Sequence, residues 1–176
     1  PLRSIRFEKS PPNIVRAIEL EHAFKKSLFL ITLRNPYAQI EGLLRRQWPF
    51  NKYGPQSSPS YPLTPKVAAE FWIKLAKYQL YNMEHLKNTC FFTYEELTER
   101  PDDTIKKITD FLPALDALDI ESKFTAHNIT GQPINGFKNL NQQKINNLTK
   151  QQIEEMNMVL RDHKDLLGTF HYHLIQ

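Results

Sequence analysis

The feature that most constrains the fold is a run of bulky, mostly apolar residues from Leu28 to Leu33, followed by Arg34, Asn35 and Pro36. A continuous run of this kind, partly β-branched, is typical of a strand buried on both faces of a parallel sheet. Asn35 is a favoured N-cap residue, and Pro36 is a favoured first residue of a helix. The sequence therefore predicts a strand that ends at Arg34 and leads directly into a helix.

A second buried strand is predicted from Thr89 to Tyr94, continuing into Glu95 and Glu96. The other predicted elements are a short strand over residues 4–9, helices that begin near residues 11, 36, 64 and 101, a helix over residues 149–163, and a mainly irregular segment over residues 125–147. Strands that alternate with helices indicate an α/β fold with a parallel sheet. In such a sheet, ligands bind at the carboxyl ends of the strands, where Arg34 and Tyr94 both lie.

Composition narrows the class of ligand and partner. The chain has 176 residues, which suits one domain over residues 1–176. Its net charge of +4 favours an anionic ligand, but this excess is too small and too scattered for binding along a nucleic acid. The single cysteine, Cys90, excludes an internal disulfide framework and a zinc site with several cysteines. No apolar run approaches the length of about 20 residues that a membrane span requires.

The position of Arg34 has two explanations. A guanidinium at the end of a strand, beside the free amides of a helix N-terminus, is suited to bind phosphate. The alternative is structural, in which Arg34 caps the sheet edge through carbonyl groups or a carboxylate. The local pattern leaves both open.

Four sequence features occur in an order that favours the phosphate-binding explanation of Arg34 over the structural one. FEKSPPN precedes the first helix, LRNP follows the first buried strand, a later helix carries Trp72, and TYEEL follows the next strand. This order resembles the C-terminal two-thirds of the PAPS-dependent sulfotransferases, with the bacterial members and the tyrosylprotein branch nearest. PAPS is 3′-phosphoadenosine 5′-phosphosulfate.

The resemblance implies a fold like that of the P-loop NTPases, with a parallel sheet flanked by helices. It also implies an enzyme that transfers a sulfuryl group from PAPS to a hydroxyl or amine and releases PAP. The acceptor would be a small molecule, a glycan or a peptide. For localisation, the resemblance implies the cytoplasm if the chain is bacterial, which we expect, and the Golgi lumen if it is eukaryotic.

The resemblance also implies roles for individual residues. Arg34 corresponds to the arginine that binds the 3′-phosphate, and Tyr94 to the tyrosine near the adenine or the 3′-phosphate. Lys9 corresponds to the lysine close to the transferring sulfuryl group, and Lys138 resembles a late basic residue that closes over the nucleotide. Glu8 is a candidate general base, although an ion pair at a strand end explains it as well. The resemblance implies no metal, because cationic side chains stabilise the negative charge that a metal ion would otherwise stabilise.

The chain departs from the family pattern at several points. The serine that usually lies eight positions after the arginine is replaced by Gly42, and Arg46 is a candidate to compensate. The histidine of cytosolic members, two positions after the lysine, is replaced by Pro11, so the base at this site is not a histidine. The glycine-rich phosphate loop and the first strand should lie upstream of Ile5, and we expect the 176 residues alone to be inactive.

The proline-rich residues 49–65 show no periodicity, and a connection of this length is usually a lid or a disordered segment. We expect them to form a wall of the acceptor site. Two other functions remain open. One is a non-catalytic PAP- or PAPS-binding or scaffold module of the same fold, suggested by Gly42 and the missing loop. The other is a fragment of an unrelated P-loop kinase, which the lack of an aspartate-rich metal site opposes.

Overall fold

The structure of the chain, a computed structural model, describes residues 5–45, 63–115, 123–124 and 134–176. The strands are β1 (Phe29–Leu33), β2 (Thr89–Thr93), β3 (Lys123–Phe124) and β4 (Ile134–Asn135). The α-helices are α1 (Ala17–Ala23), α2 (Pro36–Arg45), α3 (Pro65–His85), α4 (Tyr94–Glu99), α5 (Pro101–Phe111), α6 (Asn141–Ile145), α7 (Lys150–Leu160) and α8 (Lys164–Thr169). Short 3-10 helices cover Pro11–Arg16, Pro113–Leu115 and Arg161–His163.

The β1 and β2 strands lie side by side and run parallel, with Leu33 opposite Thr93. Parallel strands end at the same edge of a sheet, so the next residues, Arg34 and Tyr94, lie at one edge. The predicted α/β arrangement with a parallel sheet flanked by helices is confirmed. The short strands β3 and β4 pair antiparallel in a separate sheet.

The main core lies between β1 and four helices, α2, α3, α7 and α8. Its centre is Trp72 on α3, which is fully buried. Two polar groups of α3 also bond to the backbone of β1 and the residue after it: Trp72 Nε1 donates to the Arg34 carbonyl (3.1 Å), and Gln79 Nε2 donates to the Thr32 carbonyl (3.3 Å). The helix is therefore held in register with the strand that carries Arg34.

The predicted strand over residues 4–9 is wrong for residues 5–9, which have no regular secondary structure. Ile5 and Phe7 are exposed, and no other strand in the described ranges pairs with this segment. Alternation of apolar and polar residues produces a strand only where a neighbouring strand completes its hydrogen bonds.

The prediction that β1 is buried on both faces is also wrong. In the register of the sheet, Leu30 and Thr32 share a face with Cys90 and Phe92 of β2. Cys90 and Phe92 pack against Ile108 of α5, whereas Leu30 and Thr32 are exposed. Helix α5 thus covers one strand of the pair and leaves the other uncovered. Cys90 is buried as predicted.

Two helices begin where the sequence indicated other structure. Tyr94 is the first residue of α4 rather than the last of β2, because the Thr93 side chain and the Glu96 side chain form a capping box that starts the helix there. Helix α6 lies in the segment predicted to be mainly irregular. Its first amide, that of Asn141, donates to Asn139 Oδ1 at 2.9 Å, and the helix packs against α2.

Other helix ends agree with the sequence. The Asn35 side chain caps α2, and Thr64 caps α3 by accepting from the Val67 amide at 3.2 Å. Thr149 begins α7 through a capping box with Gln152. In the parts of the chain that the structure describes, no helix combines the length and the hydropathy of a bilayer-spanning segment.

The end of the chain is bound to α2 through a buried tyrosine. The Tyr37 hydroxyl donates to Asn157 Oδ1 and accepts from the Ile175 amide at 3.1 Å. Asn157 Nδ2 in turn donates to the Ile175 carbonyl at 2.8 Å. Because Tyr37 is fully buried, water does not replace these bonds. The arrangement holds α2, α7 and the final residues together.

We expect Tyr37→Phe to lower the free energy of unfolding by about 1–3 kcal/mol, because two buried groups lose their partner. Urea denaturation measures the change. Tyr81→Phe is the matched control, since Tyr81 is exposed and its ring stacks on His85. An equal loss in both variants would contradict the role of the Tyr37 hydroxyl.

Candidate functional site

Arg34 follows the carboxyl end of β1, and its side chain contacts residues from two distant parts of the chain. Its guanidinium carbon lies 3.9 Å from the centroid of the Tyr94 ring, a distance at which a cation is attracted by the ring face. Its Nε donates to Asn141 Oδ1 at 2.7 Å. The terminal nitrogen Nη2 is buried and has no hydrogen-bond partner among the described residues.

A buried donor without an acceptor is costly, and for a charged group the cost is higher. Burial lowers the pKa of Arg34 from its ordinary value, while Tyr94 and Glu95 act in the opposite direction. The side chain remains a cation, because an arginine does not deprotonate in proteins. Nη2 therefore remains a charged donor whose acceptor is not among the described residues.

Glu95 connects the two strand ends. Its Oε1 accepts from the Asn35 amide at 2.9 Å and from Asn141 Nδ2, and its Oε2 accepts from the Tyr172 hydroxyl at 2.8 Å. Burial, followed by the charge of Glu95, raises the pKa of Tyr172. The hydroxyl thus stays protonated and keeps donating.

The start of α2 does not offer free amides to a ligand, contrary to the sequence-based expectation. The Asn35 amide donates to Glu95, and Asn35 Oδ1 accepts from the amides of Tyr37 (3.0 Å) and Ala38 (3.3 Å). Pro36 has no amide hydrogen. Anion binding at this edge therefore depends on the guanidinium of Arg34 rather than on the helix.

Tyr94 also reaches the segment before α6. Its hydroxyl donates to the Lys138 carbonyl at 2.9 Å and accepts from the Leu140 amide at 3.1 Å. The structure thus brings Arg34, Tyr94 and the backbone of Lys138 together. The Lys138 side chain is exposed.

Gly42 lies in α2, and its Cα faces Lys144 of α6. A Cβ at position 42 would lie 3.4 Å from Lys144 Nζ, which is a close but tolerable contact. Lys144 is engaged by Glu41, whose Oε2 accepts from Nζ at 2.7 Å while its Oε1 accepts from Asn147 Nδ2 at 3.0 Å. Burial favours the neutral form of Glu41, but these donors outweigh it and lower the pKa of Glu41.

The remaining predicted residues are not part of this cluster. Lys9 and Glu8 are exposed, and neither forms a hydrogen bond or ion pair with the part of the chain that the structure describes. Arg46 and residues 49–62 of the predicted acceptor loop lie outside the described residues. The described residues hold no group of three or more potential metal ligands.

Sequence reasoning missed two partners, Asn141 and Tyr172, and it missed the role of Glu95, although it had quoted the motif that contains Glu95. Asparagine and tyrosine are common, and these two follow Arg34 by more than 100 residues without a local pattern. The TYEEL motif was a signal for Glu95, since it places a carboxylate directly after the strand-end tyrosine.

The family model described as the sulfotransferase domain matches residues 63–167. Because this is more than half of the chain, the chain belongs to the sulfotransferase domain family. Tyr94, Glu95 and Asn141 lie within the matched segment, and Arg34 lies outside it. No curated protein sequence matches the chain.

A solved structure has the same fold. The sulfotransferase domain from the curacin biosynthetic pathway aligns with a TM-score of 0.57 and 20% sequence identity. The alignment covers 96% of this chain and 62% of that structure, so the chain spans less than two thirds of its length. This similarity confirms the predicted sulfotransferase-like fold.

We expect Glu41→Gln to lower the free energy of unfolding by about 1.5–3 kcal/mol at neutral pH, because hydrogen bonds to a charged, buried group are lost. The pKa of Glu41 is lowered in the folded state, so its stabilisation is complete above the ordinary value of 4.5 and is lost as the pH falls through the folded value. Denaturation at several pH values measures this.

The control for this prediction is Glu154→Gln. Glu154 pairs with Arg161 at 3.7 Å, but both side chains are exposed, so little change is expected at any pH. A difference between wild type and Glu41→Gln that grew as the pH was lowered below 4.5 would contradict the assignment.

Proposed function

We propose that the protein is a PAPS-dependent sulfotransferase, and that Arg34 and Tyr94 hold the 3′ side of the nucleotide. Membership of the sulfotransferase domain family supports sulfuryl transfer as the reaction class. The observation that carries the nucleotide assignment is the unpaired, buried Nη2 of Arg34 at the carboxyl end of β1. A phosphate oxygen supplies the acceptor that this donor lacks.

In the proposed reaction, a hydroxyl or amine of the acceptor attacks sulfur, and the bond between sulfur and the bridging phosphate oxygen breaks. The sulfuryl group is transferred, PAP leaves with the electron pair of the broken bond, and the acceptor loses a proton to a base. Positioning and charge stabilisation dominate transfers of this type, as they do in phosphoryl transfer.

Arg34 contributes binding and orientation in this scheme. Its charge-assisted bonds to the 3′-phosphate fix one end of the nucleotide, and the Tyr94 ring holds the guanidinium plane. Lys9 is our candidate for stabilising negative charge near the sulfuryl group. Lys9 and Glu8 are exposed and unpaired in the described part of the chain, so both are available for a ligand.

A PAP-binding module without catalysis is the second candidate. The observation in its favour is Gly42, which supplies no hydroxyl beside Lys144 where related chains usually carry a serine. Binding of PAP without sulfuryl transfer to any hydroxyl or amine acceptor would favour this candidate over the enzyme.

Arg34→Ala should weaken PAP binding by about 10- to 150-fold, which corresponds to the loss of about 1.5–3 kcal/mol for bonds to a charged group. Adenosine 5′-monophosphate, which lacks the 3′-phosphate, should bind parent and variant equally. Titration calorimetry with both nucleotides measures the ratio of the two affinities.

The matched control is Arg161→Ala, because Arg161 is exposed and pairs only loosely with Glu154. This variant should keep the ratio of PAP to adenosine 5′-monophosphate affinity. If Arg34→Ala kept it too, Arg34 would not be the ligand of the 3′-phosphate, and the proposed nucleotide site would be refuted.

The proline-rich residues 49–65 are our candidate for the acceptor side. They follow the helix that begins after Arg34, and they include the aromatic residues Phe50, Tyr53 and Tyr61. Exchange of this segment for that of another sulfotransferase should change acceptor preference in a transfer assay and preserve PAP affinity. The opposite result, lost PAP binding with unchanged acceptor preference, would move the segment to the nucleotide side.

A further inference from the structure

Two contacts orient the guanidinium of Arg34, one with the Tyr94 ring and one with the Asn141 side chain. The Tyr94 ring lies against one face, with 3.9 Å between the guanidinium carbon and the ring centroid. Stacking restrains the plane of the group but leaves it free to rotate within that plane. A hydrogen bond to one nitrogen removes this freedom, and Asn141 Oδ1 makes it by accepting from Nε at 2.7 Å.

This bond decides which edge of the guanidinium is available. With Nε engaged, the remaining pair of donors for a two-pronged contact is Nη1 and Nη2. Nη2 is the nitrogen that has no partner in the described ranges of the chain. The edge formed by Nη1 and Nη2 is therefore the one that the bond to Asn141 leaves for an anion.

The orientation of the Asn141 amide is itself fixed by Glu95. A carboxylate only accepts, so the Nδ2 group of Asn141 faces Glu95 Oε1 and its Oδ1 faces Arg34. If the amide were rotated by 180°, Asn141 Oδ1 would face the acceptor Oε1 of Glu95, and Asn141 Nδ2 would face the donor Nε of Arg34. Glu95 is held in turn by the Asn35 amide at 2.9 Å and the Tyr172 hydroxyl at 2.8 Å.

We propose that Asn141 is a positioning residue for Arg34: oriented by Glu95, it holds the Nη1–Nη2 edge of the guanidinium toward the 3′-phosphate of the nucleotide. Asn141 acts through Arg34 and does not itself touch the ligand. This inference rests on the proposed function, because it takes Arg34 as the phosphate ligand.

Asn141→Ala should lower PAP affinity about tenfold, because an arginine that is no longer pre-oriented must be immobilised when the ligand binds. Affinity for adenosine 5′-monophosphate should change less than about twofold by the same reasoning. Calorimetric titration of both nucleotides gives the ratio, which a purely structural role would leave unchanged.

Asn157→Ala is the matched control. Asn157 is as buried as Asn141, at 6% against 8% exposure, and it also forms two side-chain hydrogen bonds, to Tyr37 and Ile175. Both substitutions should lower the melting temperature, but only Asn141→Ala should lower the ratio of the two nucleotide affinities. An equal ratio in the two variants would overturn the proposal.

The same titrations in an Arg34→Ala background separate the two proposals. If Asn141 acts through Arg34, adding Asn141→Ala to Arg34→Ala should cause no further loss, and a further tenfold loss would overturn the positioning role. If Arg34→Ala lowers the ratio while Asn141→Ala does not, the positioning role fails and the proposed function stands. If Arg34→Ala itself leaves the ratio unchanged, the proposed function fails.

Tyr172→Phe provides a second route if Asn141→Ala does not fold. The phenylalanine keeps the ring contact with Trp72, where the ring centroids lie 6.0 Å apart, and removes only the hydroxyl that holds Glu95. We expect a several-fold loss in the ratio of PAP to adenosine 5′-monophosphate affinity. An unchanged ratio in this variant would overturn the proposal.

Discussion

The positive charge of Arg34, half-buried at the end of β1, is the constraint on which the rest of this region depends. A charge withdrawn from water requires compensation by polar or π-electron partners. The chain provides the ring of Tyr94, the amide oxygen of Asn141 and, behind that amide, the carboxylate of Glu95. These partners come from α4 and α6. The hydroxyl of Tyr172, near the end of the chain, donates to Glu95. One side chain thus determines where several elements meet.

The abrupt change from β2 to α4 makes this convergence possible. Because the capping box at Thr93 and Glu96 starts the helix at once, Tyr94 and Glu95 both remain at the sheet edge. They point to different partners: Tyr94 binds the backbone of Lys138 and Leu140, and Glu95 binds the amide of Asn35. A strand continuing through Glu95 would direct alternate side chains to opposite faces of the sheet.

The parts of the structure that could be predicted from sequence are those with a local cause. The apolar run before Arg34 and the cap at Asn35 predicted β1 and α2, and strand-end positions brought Arg34 and Tyr94 together. Local pattern failed where a distant partner decides the structure. The alternation before Lys9 did not form a strand, since a strand needs a neighbour. The role of Asn141 could not be found, because its segment lacks apolar periodicity and its contact with Arg34 spans 107 positions.

The long-range character of these contacts also has a kinetic consequence. The hydrogen bonds around Arg34 join residues far apart in sequence: Arg34 to Asn141 across 107 positions, Glu95 to Tyr172 across 77, and Asn35 to Glu95 across 60. Closing loops of this size has an entropic cost that must be met before the contacts form, so high contact order slows folding. Helices with local caps can form early, while the bond between Arg34 and Asn141 forms only after a separation of 107 positions has been closed. A partly folded chain would therefore contain those helices and still lack an oriented arginine.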